Sequence, residues 1–382
     1  MLLLATCGPA ADTEIQLAAA APPRPIAGDL APARFTESAY IAADGAHLPL
    51  RRWLPTGPAK AVILALHGFN DYSNAFDLPA SLWAAHGIVT YAYDQRGFGG
   101  APGRGSWAGE GQLAVDAIAA TRILRRTHPG RPVYLLGESM GGAIAILATT
   151  GAMSGVIPTD QVRGPKTHGP DGMPVADADG IILSAPAVWG RATMDLLPRL
   201  ALFAGVRLFP TMSLSGRGLR ILASDNLPML RALASDAMVL KGARIETVYG
   251  LVDLMDSALA AAPRLAAPML LLYGAHDELV PRRPIAQFVA HLHSHPDQPR
   301  RLAYYPKGYH LLLRDLGRGT VVDDVASWII DRAAPLPSRA DAAAEVGPWP
   351  PPRDRDSPVP APTAPAPELD RRAPLAEGGA SR

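Results

Sequence analysis

The stretch Pro132–Gly142 (P-V-Y-L-L-G-E-S-M-G-G) limits what this chain can fold into more than any other. Val133–Leu136 is a short apolar run of strand formers, and Ala143–Thr149 continues as a good helix former. Between them Gly137-Glu138-Ser139-Met140-Gly141 fits G-x-S-x-G. Strand, tight turn and helix in that order put Ser139 at the end of a buried strand, in a strained backbone conformation with its hydroxyl exposed. The flanking glycines remove the Cβ atoms that would collide at so sharp a turn. The helix that follows aims its free N–H groups and positive dipole end at the same point. The pentapeptide alone is weak in a chain rich in Gly and Ser, so its companions decide the matter.

Further apolar runs share the character of Val133–Leu136: Ala61–Leu66, Ile88–Tyr93, Gly180–Leu183, Met269–Tyr273 and Leu302–Tyr305. Helical spacing falls between them at Phe76–His86, at Gln112–Arg126 (Leu113, Ala117, Ala120 and Leu124 on one side), at Pro284–His293 and at Thr320–Asp331. Strands alternating with helices predict an α/β fold, a mostly parallel central sheet flanked by helices. Ser38–Ala42 and Leu48–Trp53 around Asp44-Gly45 read as a hairpin at its start. The rhythm breaks at residues 188–265, where helical segments Met194–Leu208, Leu227–Ala237 and Arg244–Ala261 predict a helical cap, or lid, over the strand C-terminal ends. The expected organisation is a tether at 1–33, a first core part at 34–187, the cap at 188–265, a second core part at 266–333 and a disordered Pro/Ala-rich tail at 334–382.

The chain's 382 residues suffice for one large domain with an insertion. A formal net charge of +1 gives no electrostatic ground for a nucleic-acid partner. One cysteine, Cys7, excludes an intramolecular disulfide and a cysteine-based zinc site. It stands in M-L-L-L-A-T-C-G, similar to the end of a bacterial lipoprotein signal, although no basic residue precedes the apolar ones and the run is short. Two expectations stay open: a lipidated Cys7 tethering the chain at the cell envelope, or an ordinary N-terminus on a cytoplasmic protein.

A serine at such a turn needs a base, and the base needs an orienting acid. Past Ser139, strand Met269–Tyr273 ends in Gly274-Ala275-His276-Asp277-Glu278, which makes Asp277 the candidate acid and Glu278 the alternative. Strand Leu302–Tyr305 ends in Pro306-Lys307-Gly308-Tyr309-His310, which makes His310 the candidate base. Two N–H donors for a developing oxyanion are expected from Met140 and from Phe69, in the loop His67-Gly68-Phe69. His67 precedes Ser139 in the wrong order for the base and reads as a loop brace, as do Asp94 and Arg96, taken as a pair.

These segments together resemble the monoacylglycerol lipase and lysophospholipase branch of the α/β-hydrolases, grouped with the serine aminopeptidase-like hydrolases. The likeness runs over about residues 35–333 and includes Asp94-Gln95-Arg96-Gly97-Phe98-Gly99 and Gly274–Pro281. It implies the α/β-hydrolase fold, the triad Ser139, Asp277 and His310, and oxyanion donors Phe69 and Met140. It further implies hydrolysis of carboxylic esters of monoacylglycerol or lysophospholipid type through an acyl-enzyme, with no cofactor or metal. Glu138 stands where the family more usually has His, which sets a carboxylate beside the nucleophile. Amide, peptide or thioester hydrolysis on the same groups is the alternative within enzymes, and a catalytically silent lipid-binding envelope protein the alternative outside them. Leu197, Leu200 and Phe203, in the apolar cap segment 196–209, are expected to wall an acyl pocket, to meet lipid or simply to pack. His291-Leu292-His293-Ser294-His295 lacks an acidic partner at ligand spacing and reads as a helix end rather than a metal site. Asp253 and Asp256 read as solvated or capping residues.

Overall fold

The continuous apolar runs form the middle of one sheet. The computed structural model describes residues 32–153, 173–215, 221–292, 299–345 and 349–351. Cys7 and most of the expected tether, His293, His295 and the last part of the expected tail lie outside the described residues. In chain order the strands are β1 (Arg34–Phe35), β2 (Ala39–Ile41), β3 (His47–Trp53), β4 (Ala61–Leu66), β5 (Ile88–Tyr93), β6 (Val133–Glu138), β7 (Gly180–Ser184), β8 (Ser213–Leu214), β9 (Ala243–Arg244), β10 (Met269–Gly274) and β11 (Arg300–Tyr305). Nine of them make the main sheet, in the order β1-β2-β3-β5-β4-β6-β7-β10-β11. Pairing is parallel from β5 to β11 and antiparallel among β1, β2, β3 and β5.

The helices are α1 (Asp77–Ala85), α2 (Glu110–Thr127), α3 (Met140–Thr150), α4 (Leu196–Leu208), α5 (Leu227–Ser235), α6 (Ile245–Ala261), α7 (Arg282–His291) and α8 (Arg318–Ile330). Alternate residues of β4 face opposite layers: Val62, Leu64 and Leu66 join the core under α2, α3 and α6, and Ala61, Ile63 and Ala65 join that under α1 and α8. Every residue of β4, β5, β6, β7 and β10 is buried, because helices cover both faces of a parallel sheet. By contrast β3 alternates, burying Leu48 and Leu50, as a strand near the sheet's edge should. The hairpin turns at Gly45, whose φ of 82° favours glycine.

Three features differ from expectation. The insertion carries the expected helices, but α6 packs against α3 and α2, and Val252, Leu254, Met255, Ala258 and Leu259 complete the main core. By contrast α4 and α5 have no buried residue, and α4 meets that core through the partly buried Leu202. Two short strands, β8 and β9, pair antiparallel within the insertion, held by backbone bonds that no apolar run announced. The chain also does not leave the core at residue 334. Leu336 is buried, Asp341 pairs with Arg301 at 2.6 Å, and Trp349 packs 6.0 Å from Tyr273. Low complexity hid these anchors, since a single Trp or Leu among prolines carries no periodicity.

Candidate active site

Ser139 connects β6 to α3 with φ 54° and ψ −115°, a conformation costing about 1–3 kcal/mol for a non-glycine residue. The surroundings hold it there. Its N–H donates to the Ser184 carbonyl at 2.9 Å, and its own carbonyl accepts from Ala187 N–H at 2.9 Å. A Cβ on Gly137 would lie 2.3 Å from the Gly141 carbonyl oxygen, and one on Gly141 would lie 2.0 Å from that of Leu66. Only glycine fits at either position. Met140 begins α3, so its N–H has no acceptor within the helix.

The loop after β4 comes up against this turn, since a Cβ on Gly68 would lie 3.4 Å from the Ser139 Cβ. Gly68 and Asp71 close a β-turn at 3.3 Å, with Asn70 in the left-handed region at φ 65°. Phe69 is the second residue of that turn. Its ring meets Phe98 edge-on at 5.5 Å, leaving its backbone N–H as the group of interest. His67 is fully buried and has both ring nitrogens occupied: Nδ1 lies 2.8 Å from the Gly68 carbonyl, and Nε2 accepts from Gln95 N–H at 2.9 Å. That fixes the Nδ1–H tautomer, and burial lowers its pKa, so it braces the loop as a neutral ring.

Loops after β10 and β11 supply the other candidates. Asp277 Oδ1 accepts from the N–H groups of Leu279 and Val280 at 2.9 Å each, and its Oδ2 lies 2.9 Å from His310 Nδ1. The imidazole therefore keeps Nε2 as its free acceptor. Glu278 is exposed and accepts instead from Leu222 N–H at 3.3 Å, so the alternative acid is not beside His310. Gly308 lets the two loops touch: its carbonyl accepts from His276 N–H at 2.9 Å. The Ser139 hydroxyl is partly exposed and makes no hydrogen bond to His310 among the described residues.

What joins the two sides is Arg314, which sequence reasoning missed. It donates to Glu138 Oε1 at 2.5 Å and to Asp71 Oδ2 at 2.7 Å, and all three residues are buried. Burial works against the guanidinium's charge, but the two carboxylates more than offset this and hold its pKa above the usual range. Burial pushes the Glu138 carboxyl up, and Arg314 works against that. A cation four residues after His310, with an acid preceding the nucleophile, was the available signal.

Two further readings change. Asp94 does not pair with Arg96: it accepts from the N–H groups of Ser73 at 3.0 Å and Gly100 at 2.8 Å. Arg96 binds Asp116 at 2.6 Å and Asp44 at 2.8 Å, tying the hairpin turn to α2. The fork of a guanidinium reaches whichever carboxylates the fold brings up, and sequence neighbours have no priority. Leu197, Leu200 and Phe203 are 62%, 53% and 51% exposed among the described residues. Asp253 and Asp256 both pair with Arg191, at 2.7 and 2.5 Å.

A mainly parallel sheet with a strained serine at its central strand-to-helix turn, and an acid and histidine at the ends of later strands, defines an α/β-hydrolase. The sequence profile described as "Hydrolase_4: Serine aminopeptidase, S33" matches residues 57–158 and 168–317, so the chain belongs to that family. It falls in the family's monoacylglycerol lipase-like branch and is a carboxylic ester hydrolase. It is 28% identical over 302 residues to the monoglyceride lipase of Rattus norvegicus, covering 77% of this chain and 90% of that one. With the monoacylglycerol lipase of Mycolicibacterium smegmatis it shares 25% over 297 residues, covering 77% and 97%. Among solved structures, a soluble variant of monoglyceride lipase from Saccharomyces cerevisiae in complex with a substrate analog superposes with a TM-score of 0.59. That match is 18% identical and covers 81% of this chain and 98% of that one, a likeness of fold.

Proposed function

We propose that this ester hydrolase acts on esters with an apolar acyl chain, of monoacylglycerol or lysophospholipid type, through a Ser139–His310–Asp277 triad. The observation that carries the reading is the Asp277 carboxylate 2.9 Å from His310 Nδ1, with Ser139 strained at the end of β6, which β7 separates from β10 in the same sheet. Asp277 holds the imidazole with Nε2 free to accept a proton. Ser139 Oγ attacks the ester carbonyl carbon and passes its proton to Nε2. The tetrahedral oxyanion is bound by the N–H groups of Phe69 and Met140, donors worth a few kcal/mol each in such sites. His310 then protonates the departing alcohol oxygen, leaving an acyl group on Ser139. Water, deprotonated by the same nitrogen, attacks that acyl carbon, and Ser139 leaves with the proton returned. In a site of this kind the serine–histidine contact tightens when substrate enters. No step calls for a cofactor.

The names of the relatives, monoglyceride lipase and monoacylglycerol lipase, support the monoacylglycerol part of that class. Exposed Leu196, Leu197, Leu200 and Phe203 on α4 support a lid face that meets aggregated lipid. A lipidated Cys7 would hold the chain at the cell envelope and serve the same end; incorporation of an alkyne fatty acid by wild type and not by Cys7→Ser tests it.

The test of the whole reading is a panel of p-nitrophenyl esters of graded chain length, with monoacylglycerol and lysophospholipid substrates, alongside fluorophosphonate labelling. Ser139→Ala and His310→Ala should each lose at least about a thousandfold in kcat while staying folded. Turnover retained in Ser139→Ala overturns the mechanism. No labelling of wild type supports the silent lipid binder.

A further inference from the structure

Beyond the triad, and resting on that reading of the site, we propose that Arg314 is its positioning residue: one buried guanidinium clamps the oxyanion loop and the nucleophile turn to the segment that carries His310.

Three segments far apart in the chain meet at this side chain. Asp71 ends the turn Gly68–Asp71 that presents the Phe69 N–H, and its Oδ2 accepts from one terminal nitrogen at 2.7 Å. Glu138 immediately precedes Ser139, and its Oε1 accepts from the other at 2.5 Å. Arg314 itself lies four residues past His310, with its N–H bonded to the Leu311 carbonyl at 2.8 Å and its own carbonyl held by Asn226 Nδ2 at 2.9 Å. The planar fork fixes the angle between its two bonds, so neither carboxylate shifts without the other. A lysine offers a single charge centre on a flexible stem and cannot hold both in that relation. Neither the tetrahedral intermediate nor the scissile ester needs to touch Arg314. It acts through the placement of Phe69, Ser139 and His310, where an error of about 1 Å can cost about a hundredfold in rate.

Burial makes the arrangement costly unless complete. Glu138 is 1% exposed, Arg314 5% and Asp71 8%, so removing the cation alone strands two buried anions. The experiment therefore uses two variants. Arg314→Lys keeps the charge and loses the fork. The triple variant Asp71→Asn/Glu138→Gln/Arg314→Met keeps the volumes and removes every charge. Each is compared with wild type and Ser139→Ala for kcat and KM on a short p-nitrophenyl ester, for the rate of fluorophosphonate labelling and for Tm.

The expected result is a folded protein from at least one variant, with kcat and labelling rate each down about tenfold to a hundredfold and KM within about twofold. Two results overturn the proposal: kcat within about twofold of wild type in a folded variant, or a loss that appears equally in KM and follows Tm. Failure of the triad reading is distinct from either. It shows as turnover surviving in Ser139→Ala, or wild type escaping the label, whatever Arg314 does.

Discussion

His310 Nδ1 stands 2.9 Å from Asp277 Oδ2, and the two side chains are 4% and 0% exposed. Burial by itself would lower the imidazole's pKa. The charge and hydrogen bond of Asp277, with Glu138 adding, outweigh burial, and Arg314 offsets only part of that, so the pKa is raised above its ordinary value. Neutral His310 is the proposed base, and activity is lost as pH falls through that raised pKa. The acid limb of kcat/KM should therefore have its midpoint above about 6.5. Glu138→Gln removes an anion that favours imidazolium and should move the limb to lower pH. A pH–rate profile of both proteins checks this, and a limb unmoved by Glu138→Gln counts against the geometry.

The two acids of Asp277-Glu278 should separate cleanly. Asp277→Asn keeps the shape but offers Nδ1 the wrong partner, and kcat should fall by roughly ten-thousandfold. Among the described residues Glu278 accepts one hydrogen bond, from Leu222 N–H, and Glu278→Gln should leave kcat within about twofold. Steady-state kinetics on one ester decide between them, and a larger loss at 278 would transfer the acid's role there.

The segment past α8 should matter to stability and not to chemistry. Leu336 is 1% exposed and Trp349 is 7% exposed against Tyr273. Leu336→Ala should cost roughly 2–5 kcal/mol and Trp349→Ala roughly 3–5 kcal/mol, read from urea melts, with kcat unchanged below the transition. A loss under about 0.5 kcal/mol in both would mean these residues are not held in the core.

The exposed apolar face of α4 should answer to lipid. Leu200→Asp and Phe203→Asp remove no buried contact, so Tm should stay within about 2 °C. Co-sedimentation with phosphatidylcholine vesicles should drop severalfold, and so should turnover of long-chain substrate presented in vesicles, while a short soluble ester is hydrolysed as before. Equal losses on both substrates would make the face part of the reaction site instead.

Strand and helix order, the glycine-flanked serine and the chain order of Ser139, Asp277 and His310 were legible from residues alone. Each depends on local matters: apolar runs long enough to be buried on both faces, steric room at a turn, and the number of residues from a strand's end to a reactive side chain. Asp277 and His310 meet because β10 and β11 pair in parallel, Gly274 opposite Tyr305, and so end at one level. That consequence was within reach of the sequence once both strands were recognised.

Tertiary structure alone decided the partners of charged groups and the side on which each helix settled. The spacing of α6 reads equally as cap or core, and contact with α3 and α2 makes it core. Arg96 chose Asp116 and Asp44 over Asp94, and Arg314 chose Asp71 and Glu138, 243 and 176 residues away. Hydrophobic burial leaves a periodic trace along the chain because it is set by which face of an element turns inward. A buried ion pair leaves none, since its energy depends on distances between segments that only packing brings together.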